Sequence, residues 1–377
     1  YSALMSYQSF LPLNILLAMA AERVNVKNDR LSVFVEKELM GPFRMFSPRF
    51  LFRAGVSALF FVGIFFLFWQ YRGEAGSAFS AFSMRWFFVP VVFFSYTLAI
   101  LVKAFRFKFF LGKGISGSSL FQITAIHSFW NNVLPFRSGE LSYLYMAKRK
   151  LGVSGADSVA SLMVVRLLDM VVLVLFFSFS SLILFSYSFP YSPASRVVLF
   201  ATLVAVIAAA VFLFFSRAAS KKIFLRVRTR ISKDPSRTVF NRVLSAISEF
   251  FLALEKLKSG TFFSTLFLLS VFVWMSDALF TFTALRLVGF NVSPAAILFL
   301  TAFPVATVLL PFQMPANIGT FESIVAAGFV LLGTSVAEAL RLSLVLHVAT
   351  IASSGVLFFP AYVFYRRSHG TRGEAVH

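Results

Sequence analysis

Cysteine is absent from the 377 residues, and carboxylates are scarce, with 15 Asp+Glu set against 35 Lys+Arg. The first absence excludes disulfide staples, thiol nucleophiles, Cys-ligated zinc and iron–sulfur clusters. Charge as a whole is thin: 13% of residues carry it, where a soluble domain has about a quarter. Histidine is rare too, and the four present (His127, His347, His369, His377) are too scattered for metal-ligand spacing. Gly112-Lys-Gly114-Ile-Ser-Gly117 matches the dinucleotide fingerprint but lies in a basic loop without a βαβ unit around it. No G-x-S-x-G nucleophile motif and no nucleotide-binding motif occurs. No cofactor, no metal and no catalytic domain are therefore expected.

What is present in excess is apolar. Residues of that kind make up 59% of the chain, with 52 Phe among them. A soluble fold of this length must keep a large surface wet and could not hide so much Phe, Leu and Val. The composition reads as an all-α polytopic membrane protein. The formal charge of +20 raises the question of nucleic acid, which its distribution answers. The cations cluster between apolar runs, at Lys103–Lys113, Lys148–Lys150, Arg217–Arg242 and Arg366–Arg372. That is the positive-inside pattern of a multi-pass protein in the cell (cytoplasmic) membrane, with the C-terminus on the cytoplasmic side.

About 20 apolar residues are needed to span a bilayer. Ala54–Trp69 with its flanks, Trp86–Val102, Ala156–Ser186, Val197–Phe215, Phe262–Val288 and Val336–Tyr365 meet that need, which makes about six spans. Two further apolar stretches are interrupted. Leu120–Phe136 holds Gln122, His127, Asn131, Asn132 and Pro135, and Ala295–Leu332 holds Pro304, Pro311, Gln313, Pro315, Asn317, Gly319 and Glu322. Proline, amides and a carboxylate at membrane depth are tolerated only beside protein or a watery cavity, so both read as re-entrant or broken helices. The expected organisation is a leader or interfacial segment over 1–48, then a first membrane repeat over 49–216 with its re-entrant segment at 120–136. A basic amphipathic cytoplasmic connector follows over 217–260, then a second repeat over 261–367 with its broken segment at 295–332, and a tail over 368–377.

The two interrupted stretches resemble each other. Leu134-Pro135-Phe136-Arg137-Ser138-Gly139-Glu140 and Pro315-Ala316-Asn317-Ile318-Gly319-Thr320-Phe321-Glu322 both contain Pro-x-x-x-Gly followed by Glu. An offset of 181 residues then aligns Gly152 with Gly333, Ser154 with Ser335, Ala156 with Ala337 and Arg166 with His347. The basic blocks orient the equivalent spans oppositely. The expected architecture is two inverted-topology repeats, the plan of many secondary transporters.

At this point the chain resembles a known family. Asn132-Val-Leu-Pro135-Phe-Arg137-Ser-Gly139-Glu140, the later Arg166-Leu-Leu-Asp169 and Pro315-x3-Gly319-x2-Glu322 are similar to the lysylphosphatidylglycerol-synthase transmembrane region, also described as flippase-like. The resemblance spans roughly residues 50–367. It implies movement of lipids or lipid-linked groups between leaflets, in some members fused to an aminoacyl-transferase or associated with a glycosyltransferase. The 48 leading and about 10 trailing residues are too few for such an enzyme domain here. One departure stands out: His347 occupies the position where the family's basic residue is expected in the last span, with Arg341 six residues earlier as a possible substitute.

Charged side chains at membrane depth demand a partner or water. Arg166 and Asp169 share a helix face and are expected to pair, either as a structural ion pair or with Asp169 moderating a phosphate-binding Arg166. Glu140 and Glu322 start helix-like runs and either cap them, bind protons or cations coupled to transport, or organise Arg137. Arg137, at the tip of the first broken segment, is the leading candidate for a phosphate contact, against simple snorkelling. Asn132 and Asn317 serve the backbone freed by nearby prolines and can line a polar path. Glu338 and Arg341, three apart, and Asp277 are weaker candidates, and His127 reads as a hydrogen-bonded core residue. Substrate-binding candidates are thus Arg137, Glu140, Arg166, Asp169, Asn132, Asn317, Glu322, Arg341 and His347. The expected activity is translocation of a phospholipid or a polyprenyl-phosphate-linked substrate. The alternatives are a membrane-embedded transferase acting on a lipid donor and a non-transporting partner of a cytosolic lipid-modifying enzyme.

Overall fold

The computed structural model describes residues 84–112, 114–134, 139–188, 259–306 and 315–373. The expected spans at 54–69 and 197–215, the leader, most of the basic connector, and the loop tip with Pro135 and Arg137 lie outside the described residues.

Among the described residues the regular structure is helical throughout. The helices are α1 (Phe88–Leu111), α2 (Gly117–Val133), α3 (Gly139–Leu151), α4 (Gly155–Ser188), α5 (Gly260–Leu287), α6 (Pro294–Ala306), α7 (Thr320–Leu331) and α8 (Val336–Gly373). A single 3₁₀ turn, Pro315–Asn317, precedes α7. Four helices are long and apolar enough to cross a membrane: α1, α4, α5 and α8. The chain is a multi-pass membrane protein. Helix order by length is long, short, short, long, and it occurs twice.

Local sequence explains the joints. Leu134 precedes Pro135 and is extended (φ −84°, ψ 138°), as proline's ring requires of its neighbour, so α2 stops there. After α3 and after α7 the chain turns at Gly152 (φ 66°) and Gly333 (φ 85°), conformations that a side chain resists. Two residues on, Ser154 Oγ accepts from Asp157 N (3.0 Å) to start α4, and Ser335 Oγ accepts from Glu338 N (3.4 Å) to start α8. The 181-residue spacing of those glycines and serines thus coincides with identical local geometry.

Packing crosses between the two sets of four. Helix α1 lies against α5, α2 against α8, and α6 against α4. Ring contacts mark both outer seams. Phe177 of α4 stacks on Phe299 of α6, centroids 5.0 Å apart, and Phe358 of α8 stacks on Phe129 of α2 at 4.3 Å. Phe177 and Phe358 are again 181 residues apart. Ile100, Leu120, Ile123, Tyr143, Phe329 and Leu342 are fully buried in the largest apolar cluster, which draws on both sets of helices.

One boundary differs from expectation in a way that matters. The span expected to end at Val102 continues as helix to Leu111. Lys103 and Arg106 therefore lie inside the bundle, not in a solvated loop: Lys103 Nζ sits 3.0 Å from Asp277 Oδ2, and Arg106 is 2% exposed. Their charge was counted toward a cytoplasmic block, whereas both cations are matched by carboxylates on neighbouring helices.

Candidate functional site

The charged residues at membrane depth are organised as pairs between elements. Helix α3 opens at Gly139, which puts Glu140 in its first turn. Arg166, three turns into α4, donates from Nε (3.2 Å) and Nη2 (2.9 Å) to Glu140 Oε1. Glu140 keeps 3% of its side chain accessible and Arg166 keeps 34%. The carboxylate is sealed while the Arg166 side chain keeps part of its surface accessible, and its bonds from Nε and Nη2 both go to Glu140.

The second half repeats this arrangement with a different base. Glu322 lies in the first turn of α7, where its Oε2 accepts from Gly319 N at 2.7 Å. Its other oxygen, Oε1, accepts from His347 Nδ1 at 2.6 Å, and both side chains are buried. Phe321 stacks on the imidazole, with centroids 4.6 Å apart. The backbone before α7 is unusual: Ala316 and Asn317 both have positive φ (55° and 54°), and Asn317 O accepts from Thr320 Oγ1 at 2.9 Å.

Asp169 does not pair with Arg166 as the i, i+3 spacing implied. Its partner is Arg106 of α1, at 2.5 Å (Nη1–Oδ1) and 3.2 Å (Nη2–Oδ2). Trp274 Nε1 of α5 donates to Asp169 Oδ1 at 3.0 Å, and Ser270 Oγ accepts from Arg106 Nη1 at 2.9 Å. Three helices meet at this cluster. The physical reason is geometric: a guanidinium arriving from a facing helix meets a carboxylate with both prongs, whereas a one-turn neighbour on the same helix must curl back along the surface. Arg166 is released by that choice to serve Glu140.

The other expected residues are placed as follows. Arg341 donates to Glu338 one turn earlier, as their spacing predicted, and it is buried in α8. Asn132 lies in the last turn of α2 and is half-buried. His127 Nδ1 donates to Gly139 O (3.1 Å) and its Nε2 accepts from Asn131 (3.3 Å), a hydrogen-bonded core histidine. Arg137 lies outside the described residues. Arg106, Ser270 and Trp274 were missed. The available signal was that the apolar run does not stop at Val102 but goes on through Ala104, Phe105, Phe107 and Phe109–Leu111, with Lys103 and Arg106 three residues apart and so on one helix face. Among the described residues no His, Asp and Glu cluster could hold a metal ion.

An all-helical multi-pass bundle with buried carboxylate–cation pairs at its helix joints defines the class: a polytopic membrane protein with polar machinery inside the bilayer. The family model for the lysylphosphatidylglycerol synthase transmembrane region matches residues 52–357, and the chain belongs to that family. Membership ties it to lipid metabolism or transport at the membrane. Comparisons with curated proteins and with solved structures find no match.

Proposed function

We propose that the protein is a flippase-like translocase, moving a phospholipid or a lipid-linked anionic substrate between leaflets. In this reading the two sets of four helices are inverted-topology repeats whose interrupted helices meet around a polar path. The observation that carries it is the asymmetry of the first pair, a sealed Glu140 beside a partly accessible Arg166. A charged side chain at membrane depth costs a few kcal/mol or more. An accessible guanidinium there is therefore suited to a visiting anion.

The chemistry follows from that asymmetry. Glu140 holds Arg166 in place with one oxygen and lowers the net charge of the site. The remaining N–H groups of Arg166 then offer a phosphate a charge-assisted contact. A lone cation would hold a phosphate too tightly to release it; a paired one attracts the headgroup without trapping it. The acyl or isoprenoid tail stays in the bilayer while the headgroup crosses. Arg137, three residues before Glu140 in sequence, is proposed as a second contact, and Asn317 and Asn132 as polar lining.

Proteoliposomes carrying a fluorescent anionic phospholipid test this reading. Exposure of the headgroup on the opposite leaflet without covalent change, reduced at least tenfold by Arg166→Gln, supports translocation. A new lipid product supports the transferase alternative, with the glutamates as bases. Neither movement nor product supports a role as partner of a cytosolic lipid-modifying enzyme.

A further inference from the structure

Four cations inside the bundle each bond a carboxylate: Lys103, Arg106, Arg166 and Arg341. At the end of α3 and on α8 three others face tyrosines. Lys150 Nζ donates to Gln122 Oε1 of α2 (2.5 Å) and lies 4.8 Å from the centre of the Tyr365 ring. Arg149 Nη1 donates to Tyr145 Oη (2.7 Å), with its guanidinium 5.4 Å from that ring centre. Arg366 lies 5.9 Å from the centre of Tyr362. Two basic blocks more than two hundred residues apart in sequence thus converge on one aromatic floor. Lys150 has no carboxylate partner among the described residues, and burial lowers its ammonium from the ordinary lysine range.

We propose that the place where the end of α3 reaches Tyr365 of α8 is a docking site for the phosphate of an anionic membrane lipid, separate from the Glu140–Arg166 pair. A cation resting on an aromatic face keeps its N–H donors turned outward. Tyrosine belongs at the level of the headgroups, where its ring is apolar and its hydroxyl wet. Basic pockets between membrane helices recognise anionic headgroups. What selects a lipid over a free phosphate is the face that leads to it. Val356, Phe359 and Val363 are exposed on α8 at spacings of three and four residues, and Arg366 continues the same face. An acyl chain lying on that apolar stripe delivers its phosphate to Arg366, with Arg149 and Lys150 on α3.

Native mass spectrometry of the full chain in detergent, offered phosphatidylglycerol or phosphatidylcholine with the same acyl chains, tests the site. The wild type is expected to retain phosphatidylglycerol about tenfold better. The triple variant Arg149→Gln, Lys150→Gln, Arg366→Gln is expected to lose that preference, and Arg366→Gln alone, at an exposed position, to weaken it at least threefold. Arg286→Gln, which removes a cation resting on the Phe282 ring in the last turn of α5, is expected to leave it unchanged. Retention of the preference in both the triple and the single variant overturns the proposal. So does an equal loss in Arg286→Gln, or displacement of the lipid by millimolar inorganic phosphate. This outcome is independent of whether any lipid crosses the bilayer.

Discussion

His347 and Glu322 stand 25 residues apart in sequence and 2.6 Å apart in space, while Arg166 and Glu140 stand 26 apart and meet at 2.9 Å. In each case a carboxylate in the first turn of a short helix is met by a base one turn or more inside the long helix that follows. The pairs differ in the basic group, a partly accessible guanidinium in one and a buried imidazole in the other. A fixed cation and an ionisable one thus occupy corresponding places, and their replacement should behave differently.

Arg166→Ala is expected to leave Glu140 buried without a counter-charge, at a cost of about 3–5 kcal/mol. Adding Glu140→Gln to it is expected to restore much of that loss. Thermal unfolding in detergent of the two single variants and the double variant measures the coupling. A double variant no more stable than Arg166→Ala would show that the pair is not the reason for the burial.

His347→Arg is expected to be tolerated, because it recreates the pairing of the first half. His347→Ala strips the hydrogen-bond partner from buried Glu322 and the stacking surface from Phe321, and is expected to cost about 2–3 kcal/mol. The same melting experiment separates them: Arg should melt well above Ala.

The cluster around Asp169 should rank its members. Asp169→Asn leaves Arg106, nearly inaccessible, with no carboxylate and is expected to destabilise by about 3–5 kcal/mol. Trp274→Phe removes a single donor and is expected to cost about 1–2 kcal/mol. A larger effect from Trp274→Phe than from Asp169→Asn would reverse the assignment of Arg106 as the principal partner.

Gly139 tests the close approach of α3 to the end of α2. A Cβ there would lie 2.4 Å from Asn131 N and 2.6 Å from Trp130 C, both backbone atoms that cannot swing aside. Gly139→Ala is expected to destabilise by more than about 2 kcal/mol, the range of overpacked cores. At Gly260 a Cβ meets nothing within 4 Å, and Gly260→Ala is expected to change stability by less than about 1 kcal/mol. Parallel melts of the two alanine variants check the contrast.

Much of this molecule was legible before any coordinates. Apolar length alone located α1, α4, α5 and α8, because a span must satisfy every backbone group within one helix. The Gly-x-Ser signals at 152–154 and 333–335 fell where helices end and restart, since positive φ and serine caps are local requirements. Glu140 and Glu322 were singled out by their place after Pro-x-x-x-Gly. Their partners were not. Helical spacing speaks only of neighbours on the same helix and so points Arg166 at Asp169, and Arg106 counts toward the basic Lys103–Lys113 block because a run of basic residues resembles an interface.

Sequence by itself determined that this is a helical membrane protein, where its long helices run and which residues must find company in oil, because burial cost and backbone satisfaction are properties of the local chain. Only the tertiary structure decided which cation answers which carboxylate. For Arg106 and Asp169 that choice depends on two helices, distant in sequence, arriving at an angle where both prongs of a guanidinium reach both oxygens; spacing within one helix encodes a pair such as Glu338 and Arg341 but not this one.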